Sequence, residues 1–145
     1  MKTFLQVMLL VAALVAAAEP AHAAMARAGE WETILNGDRR RLVCLHQDRT
    51  FDAPTIAKMS QVPGVKCTTG AFRSSGLQAA FNETCEVAGG VMTIDTVVTV
   101  TGMDAYTTRS KSHLVGGSIQ MPDMDLTQTG HRLGDCKAGD LQSPY

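Results

Sequence analysis

A chain of 145 residues carries 13 Lys+Arg against 14 Asp+Glu and is 45% hydrophobic. The near-balance of charge, with no basic run longer than three residues, argues against nucleic acid as the main partner. A 19% charged fraction with four cysteines argues against intrinsic disorder. Seventeen of the first 23 residues are apolar; without them about 122 residues remain, roughly 39% apolar, which is material for one small domain.

The first element is an export signal. Lys2 supplies a positive start, Val7 to Ala18 form an unbroken apolar run, and Ala21-His22-Ala23 is a small-x-small cleavage site. Cleavage is expected between Ala23 and Ala24. The run is too short to span hydrocarbon, which takes about 20 apolar residues, so no membrane span is expected after cleavage. The expected divisions are a signal peptide over 1–23, a single β-rich domain over 24–136 and a flexible tail over 137–145. The implied location is periplasmic or secreted.

Asn36-Gly37 is a strong hairpin signal between Gly29–Leu35 and Asp38–Leu45, since both residues tolerate positive φ. A two-residue loop would set Trp31 opposite Leu42 and Glu32 opposite Arg41, with the apolar and charged pairs on opposite faces. Trp31 then reads as a core anchor. Arg39-Arg40-Arg41 is the only basic run, and alternation on a strand keeps the three from forming one patch. Phe51 to Val62 reads as a short helix capped by Asp52, with Pro54 in its first turn and Phe51 stapled to Ile56. Ile56, Met59 and Val62 would face the sheet, and Pro63-Gly64 ends the segment.

From Val65 the chain alternates and keeps turning. Strands are expected over 65–73, 77–87, 91–101 and 105–114, with a last one over 124–133. A turn at Gly89-Gly90 would set Cys85 opposite Ile94. The strand from Thr107 to His113 is almost wholly polar, so it is either an edge or lines a wet cavity. The expected class is mainly β (α+β): a curved antiparallel meander or open barrel of about six to eight strands with one short helix and two disulfides.

Cys44, Cys67, Cys85 and Cys136 form an even set in an exported chain and none falls in a C-x-x-C pair, which points to structural disulfides. Three connectivities are open to four cysteines. Cys67 and Cys85 belong to one hairpin, which favours Cys67–Cys85 and leaves Cys44–Cys136.

Chemistry-bearing patterns are sparse. Ser74, Ser75, Ser110 and Ser112 lack a nucleophile elbow, and the i, i+2 carboxylates Glu30/Glu32 and Asp123/Asp125 lack an apolar pocket, so no catalytic residue is assigned. A periplasmic copper site is one alternative: Met121 and Met124 with His113 and His131 combine soft sulfur with imidazole, although Met is a routine core filler. The leading expectation is a non-enzymatic envelope module, without a cofactor, that binds an envelope protein or a small apolar ligand. Its expected face takes in Tyr106, Arg109, Lys111 and His113.

Several of these residues together resemble a known pattern. The mature part opens on Gly29-Glu30-Trp31-Glu32 and sets Cys44-Leu45 before a short helix. It then places Cys67 and Cys85 on consecutive strands, has Tyr106 after a glycine turn, and closes on His131-Arg132-Leu133-Gly134-Asp135-Cys136. This resembles the bacterial domain-of-unknown-function family 3617, over about Ala26 to Cys136. The resemblance implies a periplasmic location in a Gram-negative bacterium and a structural role for the four cysteines, and brings no reaction or ligand with it. One departure is the first hairpin, where the family carries a longer Met- and Pro-bearing segment and this chain has only Asn36-Gly37.

Overall fold

The computed structural model describes residues 25–61 and 63–139. The expected signal peptide, its cleavage site, Val62, the Met59 side chain and the end of the tail lie outside the described residues.

The strands are β1 (Met25–Ala26), β2 (Gly29–Leu35), β3 (Arg39–Leu45) and β4 (Arg49–Thr50), followed by the helix α1 (Ala53–Met59). Then come β5 (Lys66–Ser75), β6 (Gln78–Val87), β7 (Gly90–Val100), β8 (Ala105–Gly116) and β9 (Met124–Gly134). Seven strands form one antiparallel sheet in the order β3-β2-β9-β8-β7-β6-β5, and β1 pairs with β4 in a separate two-stranded ribbon. The sheet curls, so that side chains of β2, β3, β6 and α1 line one cavity on its concave side without closure into a barrel.

Alternation fixes what each strand presents to that side. Thr96, Val98 and Val100 of β7 are buried at every second position, and on β6 the inward side chains Ala79 and Cys85 are buried with Phe81 and Glu83 half-buried between them, as a half-buried sheet requires. Trp31, Leu45, Phe51 and Ile56 join them in the core, with Phe72, Phe81 and Tyr106 packed against it. The helix starts where its sequence dictates. Asp52 Oδ1 accepts from the Thr55 amide at 2.8 Å, Pro54 occupies the first turn, and Phe51 and Ile56 are both buried. It is shorter than expected, ending at Met59, where Ser60 turns both its amide and its hydroxyl back to the Ile56 carbonyl.

Two hairpin registers differ from expectation. In the first, Asn36 and Gly37 do take positive φ, but Leu35 pairs with Arg39, so Trp31 faces Val43 and Glu32 faces Leu42. The reason lies on the neighbouring strand: the Asn36 amide donates to the Thr127 carbonyl at 2.7 Å and its Oδ1 accepts from the Thr127 amide at 2.9 Å. Asn36 is held by β9, and Asp38 is left in the loop. The one-residue slip sends Leu42 to the outer face, 42% exposed, and brings Arg39 and Arg41 to the concave one. In the β6–β7 hairpin the turn is Ala88-Gly89, both at positive φ, and Cys85 faces Met92 rather than Ile94. Gly90 is needed in the ladder instead, because a Cβ there would run into the backbone of Val115 and Gly116.

Both disulfides follow the expected pairing. Cys67 and Cys85 are cross-strand partners with Cα atoms 4.0 Å apart, and Cys44 joins Cys136 across 92 residues. The second bridge fastens the segment after β9 to the outer face of β2 and β3. There Lys137, expected in the tail, places its Nζ 3.1 Å from the buried carboxylate of Glu30.

Candidate functional site

The concave side holds an open cavity of about 570 Å³, within the range of small-molecule sites. Its walls follow from register. One cross-strand row runs Val43–Trp31–Arg132, the next Arg41–Thr33–Gly130–Tyr106–Val100, and a third Arg39–Leu35–Gln128–Thr108–Val98–Ala79. The rows change character along the strands. Towards α1 the lining is Trp31, Val43, Leu45, Phe51 and Ile56; towards the first hairpin it becomes Thr33, Thr108, Gln128, Arg41 and Arg39. The site is graded from apolar to cationic.

Tyr106 sits in the middle. Its ring lies 5.5 Å from that of Trp31 and 6.1 Å from that of Phe51, distances typical of interacting aromatic pairs. It lies across Gly130, where any Cβ would enter the ring, so this glycine exists to seat the tyrosine. Gln128 Nε2 donates to the phenol oxygen at 2.8 Å, and burial raises the phenol pKa above its ordinary value. Trp31 is fixed by its indole N–H, which donates to the Arg27 carbonyl at 2.8 Å. Arg49, from β4, also lines the cavity; burial lowers its guanidinium pKa. Outside the cavity, burial raises the pKa of the Glu83 carboxyl from its ordinary value, and the Ser60 hydroxyl donates to it.

The face expected from Tyr106, Arg109, Lys111 and His113 is corrected by parity. Tyr106 points into the cavity, whereas Arg109, Lys111 and His113 lie at odd positions of β8 and stand exposed on the opposite face. β8 is also the central strand of the sheet, not an edge, so its polarity belongs to a solvated outer face and a partly polar cavity floor.

The Met/His set does not converge either. His131 pairs with Ala105 and Ser112 with Met124, so His113 and His131 lie eight residues apart along the β8–β9 ladder, about 26 Å at strand rise. Met124 is half-buried at an even position, while both histidines are exposed at odd ones, and His113 is hydrogen-bonded to Asp123. Among the described residues no three His, Cys, Asp or Glu are grouped to hold a metal.

Sequence reasoning missed Arg39 and Arg41. Their i, i+2 spacing was visible, but assigning them to the concave face needs the true register of the first hairpin. The motif residues at the chain's two ends, by contrast, interlock structurally. Gly29 has φ +138°, and a Cβ there would collide with the Gly134 carbonyl and the Arg132 guanidinium. Arg132 Nε donates to the Ala28 carbonyl at 2.7 Å and its Nη2 to Asp135 at 3.1 Å. Next to Asp135, Cys136 bonds to Cys44 on the strand beside β2.

These features define a small, mainly β protein: a curled antiparallel sheet stapled by two disulfides around an open cavity. The model of the family described as "Protein of unknown function (DUF3617)" matches residues 24–136, and the chain belongs to that family. No curated protein and no solved structure matches it significantly.

Proposed function

We propose that this protein is a non-enzymatic binding module of the bacterial cell envelope, and that its concave cavity takes a small apolar ligand. The cavity itself carries the reading. Trp31, Val43, Phe51, Ile56, Phe81 and Val98 give it an apolar wall, and among the described residues no Asp or Glu lines it, so a hydrophobic guest would be desolvated without burying an acid. Export is supported by the signal-like N terminus and by two disulfides in a small domain. No helix among the described residues is long and apolar enough to cross a membrane.

The test is direct because Trp31 is the only tryptophan and lines the cavity. The chain, expressed from Met1 in a Gram-negative host and purified oxidised, is titrated with the neutral probe N-phenyl-1-naphthylamine. Saturable probe fluorescence with matched quenching of Trp31 is expected, and it should be lost in Thr108→Phe, whose larger side chain would enter the cavity that Thr108 lines. A probe that leaves Trp31 emission unchanged at all concentrations would refute the reading.

A further inference from the structure

We propose that the cavity's ligand is a single-chain amphiphile with a free carboxylate, its headgroup held by Arg39 and Arg41 and its chain lying towards Trp31 and Ile56. The proposal rests on the cavity reading above and names the class of molecule that enters.

Four observations carry it. Arg39 and Arg41 stand two residues apart on β3, both line the cavity, and among the described residues neither side chain is in an ion pair. Arg40, between them, forms its ion pair with Glu32 at 3.1 Å. All three arginines of the edge strand border the cavity, but only Arg40 is paired with an acid, and Arg39 and Arg41 share the face of Trp31 and Val43. Secondly, Arg49 lines the same cavity from β4 and, among the described residues, no carboxylate does, so no acid in the lining opposes an anionic headgroup. A carboxylate suits such a site, because a guanidinium pair offers several N–H donors in fixed directions.

Thirdly, the polarity runs one way. The Arg39 and Arg41 rows carry the polar lining groups Thr33, Thr108 and Gln128 beside Leu35, Tyr106 and Val98, whereas the lining towards α1 is Trp31, Val43, Leu45, Phe51 and Ile56. An occupant with one charged end and one apolar end fits that gradient in a single orientation. Fourthly, size selects one chain. At roughly 30 Å³ for a water-sized group, 570 Å³ holds about 19 heavy atoms, which is a carboxylate with a chain of about 12 to 16 carbons. The two chains of a membrane phospholipid would not fit.

Displacement of bound N-phenyl-1-naphthylamine tests the proposal at pH 8, with dodecanoate, dodecanol and dodecyltrimethylammonium below their aggregation limits and with vesicles of phosphatidylglycerol. Dodecanoate is expected to displace the probe at about tenfold lower concentration than dodecanol, the scale of a charge-assisted hydrogen bond, with the cation weakest and vesicles without effect. Arg39→Gln/Arg41→Gln should remove that preference, read relative to the variant's own probe affinity and with the urea midpoint kept, and Arg39→Lys/Arg41→Lys should restore much of it. Equal displacement by dodecanoate and dodecanol, an unchanged preference in the Gln variant, or displacement by vesicles alone would each overturn the proposal. Failure of the probe to bind the unmodified protein would refute the cavity reading itself, so the two can be told apart.

Discussion

Removing the two disulfides separately should destabilise the protein by different amounts, and the order can be worked out from the chain. Cys67–Cys85 closes 18 residues and Cys44–Cys136 closes 92. In the chain-entropy treatment these loops correspond to about 3.2 and about 4.6 kcal/mol at 25 °C. Each bridge joins one buried cysteine, Cys44 or Cys85, to a less buried partner, Cys136 exposed and Cys67 half-buried, so truncation to alanine leaves the loop term as the main difference. Cys44→Ala/Cys136→Ala is therefore expected to lie about 1.4 kcal/mol below Cys67→Ala/Cys85→Ala, a tenfold difference in the folding equilibrium. Urea unfolding of the oxidised proteins, followed by Trp31 fluorescence, measures it. Both variants should also show a steeper denaturant dependence, because the freed chain exposes more surface when unfolded. If the short-loop variant proves the less stable, native-state contacts at Cys67–Cys85 outweigh chain entropy and the argument fails.

Three further outcomes follow from the geometry. Gly130→Val should cost about 1–3 kcal/mol, because its side chain would occupy the Tyr106 ring position; near-UV circular dichroism should change with stability, and an unchanged spectrum would refute the seating role. Asp52→Ala should cost about 1 kcal/mol by loss of the helix cap. Hydrogen bonds from Thr55 and Thr50 lower the Asp52 pKa in the fold, so that contribution is present above the unfolded aspartate pKa near 3.9 and lost as pH falls through the lower folded value. A variant whose deficit persists undiminished in acid would contradict this. Glu83→Gln should be neutral or mildly stabilising at pH 7, since burial raises the Glu83 pKa and its ionised form is penalised in the fold. The unmodified protein should lose stability relative to the variant as pH rises through that raised pKa, and a gap that widens towards acid would show the opposite sign.

The strands were legible in this sequence because their burial alternates and their turns are marked. Gly29–Leu35 and the β8 start at Ala105 fall as expected, and the cap at Asp52 is local chemistry that any reading of Asp-x-Pro finds. The registers were not legible, because they are set between strands. Asn36-Gly37 reads as a two-residue loop until β9 hydrogen-bonds to Asn36, and that bond is invisible from Gly29–Leu45 alone. Gly90 reads as a turn residue until Gly116 packs against it. The cost of those slips falls on the site. Arg39 and Arg41 move to the cavity, while Arg109 and Lys111 are turned away from Tyr106 by simple parity.

The composition of β8 bears on whether the cavity is a binding site or only loose packing. A strand at the centre of a curled sheet has its inner face shielded on both sides, and packing alone would fill it with branched apolar residues. β8 instead presents Tyr106, Thr108 and Ser110, with Ser110 3.0 Å from Thr96 Oγ1 and Thr108 in the row with Gln128. Tyr106 and Ser110 are hydrogen-bonded and all three side chains are only half-buried, so they do not seal the chamber. Such a floor costs core stability in a domain already low in apolar residues, and the two disulfides offset that loss. A polar, half-buried centre with a stapled periphery is the arrangement that the proposed ligand-binding role requires.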